Sequence, residues 1–121
     1  MASSPRDVVV HDTTAVVATS RFAEAVAWYG CLFGREPDLR AVAGTAEWQL
    51  TATSWLQVVA DEAAAGRTAV RFGVSDLRTT RVALADRGVS VPEIRLLTER
   101  VAVLDVTDPD GNRVCFVQEL T

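Results

Sequence analysis

The sequence carries one arrangement of secondary structure twice, and this internal repeat restricts the chain to a fold built from two similar units. Phe22, Val26, Tyr29 and Phe33 recur at steps of three and four residues, which predicts a helix with one apolar face. The first half reads as a strand at 15–19, a helix at 21–33 and strands at 39–43, 47–50 and 55–60; the second half reads as a strand at 69–74, a helix at 76–87 and strands at 91–94, 101–106 and 113–119.

The repeat defines the expected organisation of the chain. We predict a single domain over residues 1–121, with module one at about 13–60, a linker at about 61–67 and module two at about 68–120. A chain of 121 residues can bury roughly 65% of the surface that it exposes when unfolded. One core shared by both modules is therefore expected.

Composition and charge argue against several classes of partner. The net charge is −4, lysine is absent and the arginines are scattered, whereas nucleic-acid binding needs clustered positive charge. No apolar run reaches the roughly 18 residues that span a bilayer, and MASSPRDVVV lacks the layout of a signal peptide. The two cysteines, Cys31 and Cys115, form no disulfide framework. Both lie inside apolar segments, which predicts two small buried side chains. We expect a cytoplasmic protein without nucleic-acid or membrane partners, and the lysine-free composition is typical of a GC-rich bacterial genome.

Two motifs give the repeat a family resemblance. With AVAWYGCLFG in the first helix and TDPDGNRVCFVQ near the end, the chain resembles the vicinal oxygen chelate superfamily, the glyoxalase, bleomycin-resistance and extradiol-dioxygenase group, over residues 13–119. The resemblance implies an α+β fold in which two βαβββ modules form a curled mixed-sheet cup. It also implies a homodimer. Enzymes of this group hold a divalent metal that binds adjacent substrate oxygens as a Lewis acid.

The resemblance places the metal ligands on the first and last strands of each module. The corresponding positions here are Thr14, Gln57, Ala69 and Cys115. Ala69 has no donor atom, and Thr14 is a poor ligand at neutral pH. The single histidine, His11, precedes the first strand and is out of phase with the ligand position. We therefore expect neither a metal site nor a cofactor.

Alternation along the strands predicts which side chains face the cup. The face is mostly small and apolar with a few polar groups, which is typical of a small-molecule site. The candidate ligand-binding residues are Thr14, Val16, Trp48, Trp55, Gln57, Arg71, Asp105, Arg113 and Cys115.

Several of these residues have two possible roles. Arg71 either holds a ligand carboxylate or phosphate, or pairs with Asp105 or Glu99 and closes the barrel. Trp48 and Trp55 either stack on a planar ligand or are ordinary half-buried strand residues. Cys115 is either a nucleophile or, as we favour, an inert buried thiol. Asp108 and Asp110 lie in a turn and are interpreted as structural.

Two functions remain in competition, and a third, a purely structural or regulatory dimer, is favoured only if the cup is closed. The first is a metal-independent binding protein of the glyoxalase/bleomycin-resistance type, which holds a hydrophobic or aromatic ligand in an apolar cup. The alternative is an enzyme, either a metal-free isomerase, cyclase or lyase that uses Arg71 and Asp105, or a glyoxalase-like lyase with an atypical metal site. The sequence does not identify a catalytic residue.

Overall fold

The computed structural model describes residues 6–121, and this part of the chain contains two helices and seven strands. The elements in chain order are β1 (Thr13–Thr19), α1 (Phe22–Phe33), β2 (Thr45–Thr51), β3 (Ser54–Ala60), β4 (Ala69–Gly73), α2 (Leu77–Asp86), β5 (Arg95–Thr98), β6 (Val101–Thr107) and β7 (Arg113–Glu119).

The strands form two sheets, one for each module. The first sheet has the order β1-β3-β2 and the second has the order β4-β7-β6-β5. In both sheets the strand before the helix pairs in parallel with the last strand of the module, and all other pairs are antiparallel. The predicted α+β fold with two βαβββ-like modules is confirmed.

Two predicted strands differ from the structure. Leu39 makes only an isolated bridge with Glu47, and the chain then turns at Gly44, which has a φ of 76°. The strand predicted at 91–94 begins later, as β5, because Pro92 has no backbone N–H with which to join a ladder. The sheet of module one therefore has three strands, whereas the sheet of module two has four.

Aromatic side chains connect the two modules through one core. Tyr29 and Phe33 of α1 contact Trp48 of β2, with ring centroids 6.2 and 5.8 Å from it. Phe33 also meets Phe72 of β4 at 6.0 Å, and Phe72 meets Phe116 of β7 at 5.8 Å. The modules are thus held together by apolar burial and not by a shared sheet.

The turn between β6 and β7 is built around a buried carboxylate. Asp108 is 4% exposed, and its Oδ2 accepts hydrogen bonds from Tyr29 Oη and Asn112 Nδ2, both at 2.8 Å. Its Oδ1 accepts from the backbone N–H groups of Asp110 and Asn112, both at 2.9 Å. Asp108 therefore shapes its own turn and attaches it to α1.

A second carboxylate of the same turn attaches it to the start of α1. Asp110 accepts hydrogen bonds from the Ser20 N–H at 2.9 Å and from the hydroxyls of Ser20 and Thr19. Asn112 adds a bond from its Nδ2 to the Ala18 carbonyl at 2.8 Å. The structural interpretation of Asp108 and Asp110 is confirmed. Ser20 binds this turn, and the N-cap of α1 is Arg21.

Gly66 makes a close backbone approach that can be tested. Its φ is +80°, and a Cβ added there would lie 2.5 Å from the Asp110 carbonyl oxygen. Gly88 has a similar φ of +85° but open space around it. We expect Gly66→Ala to lower the free energy of unfolding by about 3 kcal/mol and Gly88→Ala by about 1 kcal/mol, because only the first adds a clash to the strained backbone. Denaturant titration of both variants measures the difference, and equal losses would contradict the close approach.

Candidate functional site

A cleft of about 560 Å³ opens where the two modules meet; we call it the module cleft. The beginnings of β1 and β3 form one side, and β4 with β7 forms the other. Its apolar lining is Phe33, Leu50, Trp55, Phe72 and Phe116, and its polar lining includes Thr14 and Arg71. Aromatic rings therefore form the main binding surface of the cleft.

A second hollow of about 450 Å³ lies on the concave face of the second sheet; we call it the basic cup. Alternate residues of β4, β7, β6 and β5 face it, which follows from the period of two along each strand. Its polar lining residues are Arg71, Arg95, Asp105, Arg113 and Cys115. Arg71 lines both the module cleft and the basic cup.

The pairing of Arg71 differs from one sequence-based interpretation. Asp105 Oδ2 accepts a hydrogen bond from Arg95 Nη2 at 3.0 Å, so the predicted Arg71–Asp105 pair is wrong. The Arg71 guanidinium forms no ion pair or hydrogen bond with any group between residues 6 and 121. The alternative pair predicted between Arg71 and Glu99 is therefore wrong as well. Arg71 is exposed and available for another partner.

Cys115 and Asp105 perturb each other's ionisation. Burial, the hydrogen bond to Asp105 and the charge of Asp105 raise the pKa of the Cys115 thiol, and these effects outweigh the opposing charges of Arg71 and Arg95. Burial acts to raise the pKa of Asp105 as well, but hydrogen bonds from Cys115 and Arg95 and the charges of Arg95 and Arg113 lower it overall. At neutral pH the thiol is protonated and the carboxylate is ionised, so Cys115 is not an activated nucleophile.

The ionisation of Asp105 predicts a pH-dependent contribution to stability. Because the folded state lowers this pKa below its usual 3.8, ionised Asp105 stabilises the fold above that pH, and the contribution disappears as the pH falls through the folded value. We expect the stability difference between the wild type and Asp105→Asn to narrow below about pH 4. Urea unfolding from pH 7 to pH 2.5 measures it. Asp86→Asn, at an exposed carboxylate on α2, is the control, and a difference that widens on acidification would contradict the assignment.

The remaining candidate residues lie outside both hollows. Val16 and Gln57 are neighbours on one face of the first sheet, where they are paired in register. Trp48 was expected at the cup, and this prediction is wrong: its side chain is fully buried beneath α1, and its Nε1 donates to the Arg35 carbonyl at 3.0 Å. The reason is the phase of β2, which points Ala46 and Trp48 toward the helix layer.

Cysteine burial also differs from expectation at one position. Cys115 is half-buried at the basic cup, whereas Cys31 is exposed on α1 and is not the buried apolar residue that its sequence context predicts.

Several lining residues were not found by sequence reasoning. Phe33, Phe72 and Phe116 belong to the core by their periodicity, yet one side of each ring lines the module cleft. These residues line the cleft because they lie near the junction of the two modules. The sequence does not show this position, since it depends on how the modules pack. Arg95 was missed because it lies just beyond the strand predicted at 91–94.

The structure allows the family's metal positions to be examined directly. Thr14 and Gln57 lie diagonally across β1 and β3, and Ala69 and Cys115 occupy the equivalent positions across β4 and β7. The positions implied by the resemblance are therefore equivalent in the two modules, but the groups present are a hydroxyl, an amide, a methyl and a thiol. This set does not fit a divalent metal site. Within residues 6–121 no cluster of three histidine, cysteine or acidic side chains could hold a metal ion, and His11 is exposed.

The fold, with its two βαβββ-like modules, is that of the vicinal oxygen chelate superfamily. Among solved structures, a glyoxalase / bleomycin resistance protein from Catenulispora acidiphila is 30% identical in sequence, with a TM-score of 0.83. The match covers 88% of this chain and 96% of that one. The chain belongs to the glyoxalase / bleomycin resistance protein family.

More distant structures share the fold alone. A bleomycin-binding protein complexed with bleomycin is 18% identical with a TM-score of 0.74, over 89% of this chain and 98% of that one. A lactoylglutathione lyase from Agrobacterium tumefaciens is 14% identical with a TM-score of 0.72, over 94% and 95%. No family model and no curated protein matches the sequence. Neither helix in residues 6–121 is long and apolar enough to cross a membrane.

Proposed function

We propose that this protein is a metal-independent small-molecule-binding protein, which holds a hydrophobic or aromatic ligand in the module cleft. The observation that carries the proposal is the aromatic lining of an open cleft of about 560 Å³. Its volume falls within the range of roughly 300–1,000 Å³ that is usual for small-molecule sites. The side chains at the four metal positions of the family are poor metal ligands, which supports a mode of ligand binding that needs no metal.

Binding is better supported than catalysis. A general acid or base works best when its pKa lies near the working pH. The pKa values of the two perturbed groups in the basic cup are shifted away from neutral pH. The pKa of the Asp105 carboxyl is lowered, and that of the Cys115 thiol is raised. The alternative of a metal-free enzyme would require Arg71 and Arg113 to stabilise a developing negative charge, because Arg95 is paired with Asp105.

We also propose a cytoplasmic homodimer. Val16 is 48% exposed in the middle of β1, and Leu96 and Leu97 of the edge strand β5 are 65% and 60% exposed. Apolar side chains on a sheet face and on an open edge favour coverage by a partner. Sedimentation equilibrium tests this proposal, and a monomer at micromolar concentration would contradict it.

Tryptophan fluorescence tests the binding function. The titration uses a panel of planar aromatic compounds. The proposal includes a role in antibiotic resistance, and the panel therefore contains bleomycin, which one protein of this fold binds. We expect saturable quenching by at least one class, with Trp55 as the reporter in the cleft. Trp28→Phe, a change on α1 outside the cleft, should leave the quenching unchanged. Absence of binding across the panel, together with no small molecule in native mass spectra of the purified protein, would contradict the function.

A further inference from the structure

We infer that the ligand is an amphipathic anion, whose aromatic body occupies the module cleft and whose carboxylate or similar acidic group is held by Arg71 at the edge of the basic cup. This inference rests on the proposed binding function and adds the charge of the ligand to it.

Arg71 is placed to contact both parts of such a molecule. It lies in the middle of β4, directly opposite Cys115, and lines the cleft and the cup together. In the cleft its neighbours include Phe72 and Trp55, which offer apolar surface to a ring. A molecule seated on those rings would therefore bring an acidic substituent within reach of the guanidinium.

The charges around Arg71 favour an anion. Arg71, Arg95 and Arg113 face the basic cup, and Asp105 is the only acidic side chain in its lining within the described chain. Arg95 is committed to Asp105, while Arg71 and Arg113 form no ion pair with any residue from 6 to 121. Two positive charges thus remain in excess in a protein whose net charge is −4. A local field opposite in sign to the whole chain is what an anion site requires.

Two other acidic groups on the same sides of the sheets form no ion pair with Arg71. Glu119 is on the same face of β7 as Cys115, but it is four residues along the strand, or about 13 Å. It lines a separate shallow hollow that Arg71 also borders. Glu47 is on the first sheet, opposite Gln57.

The expected effect is moderate because Arg71 is exposed. A carboxylate can accept two parallel hydrogen bonds from a guanidinium, but solvent screens an exposed pair. We expect an anionic ligand to bind about five- to tenfold more tightly than a neutral analogue of the same shape, and a cationic analogue to bind most weakly. The preference should decrease at high salt.

Three ring-matched probes test the inference: naphthoate, naphthamide and naphthylmethylammonium. Their dissociation constants are measured by tryptophan fluorescence at neutral pH for the wild type, Arg71→Gln and Arg40→Gln. Arg40 is an exposed arginine outside both hollows, so its substitution makes the same change in net charge. Circular dichroism checks that both variants fold. We expect the wild type and Arg40→Gln to prefer naphthoate, and Arg71→Gln to bind naphthoate and naphthamide equally.

The outcomes separate this inference from the function on which it rests. If the wild type binds all three probes equally, the charge assignment is overturned while the binding function stands. A preference for naphthoate that survives in Arg71→Gln would overturn the assignment to Arg71. If the wild type binds none of the probes, the inference fails, and the ligand panel and native mass spectra described above decide whether the binding function fails with it.

Discussion

Asp108→Ala is expected to lower the free energy of unfolding by about 3–5 kcal/mol, the largest effect of any substitution outside the apolar core. The variant leaves the buried Tyr29 hydroxyl, one N–H of the Asn112 amide and two backbone N–H groups without their acceptor. Burial, and then the charge of Asp108, raise the pKa of Tyr29, so the phenol remains a donor wherever the protein is folded. Since single domains are stable by only about 5–15 kcal/mol, a large fraction of the stability should be lost.

Thermal and urea unfolding measure this loss. Asp86→Ala, at an exposed carboxylate on α2, should change stability by less than about 0.5 kcal/mol. Tyr29→Phe removes only one of the four bonds and should cost about 1 kcal/mol. A loss below 1 kcal/mol for Asp108→Ala would show that the turn does not hold the two modules together.

Two tryptophan variants should have opposite consequences. Trp48→Ala is expected to cost about 3–5 kcal/mol of stability, because the ring is fully buried between Tyr29 and Phe33. Trp55→Ala should cost much less, about 1 kcal/mol, since the ring is half-buried at the module cleft. Under the proposed function, Trp55→Ala should instead weaken ligand binding about tenfold or more through loss of ring contact.

Urea unfolding and ligand titration of both variants test this contrast. Where Trp48→Ala is too unstable for titration, Trp48→Phe retains most of the buried volume and should bind the ligand as the wild type does. Equal stability losses at the two positions, or normal binding by Trp55→Ala, would contradict the division between core and site.

Much of the fold could be predicted because its signals are local. The apolar spacing of Phe22, Val26 and Tyr29 predicts α1, and the DPDGN turn with its following strand identifies the end of module two. The strand predicted at 39–43 does not form, because the chain turns at Gly44. Residues 39–43 contain no strong turn motif that would have predicted this. Short apolar segments of this kind depend on tertiary contacts that no local pattern records.

The error at Trp48 had a signal in the sequence. Glu47 and Gln49 alternate with Ala46 and Trp48 in β2, and this pattern places the tryptophan on the buried face. A binding role inferred from residue type alone disregards this alternation. In the structure, the position of Trp48 in the alternation of β2 determines that its side chain is buried.

The site itself could be predicted only in part. Strand alternation correctly brought Arg71, Asp105, Arg113 and Cys115 to one face. It could not decide which arginine pairs with Asp105, because three guanidinium groups reach the same hollow and the choice depends on side-chain geometry. It also could not reveal the module cleft, since its aromatic floor becomes accessible only through the packing of one module against the other.

Binding in the absence of metal is the most direct test of the proposed function. Naphthoate is titrated into protein that has been treated with excess chelator, and the titration is repeated after Mn²⁺ or Zn²⁺ is added in excess over the chelator. We predict the same dissociation constant in both conditions, because Thr14, Gln57, Ala69 and Cys115 do not form a metal site. Binding that appears only when the metal is added would contradict the account.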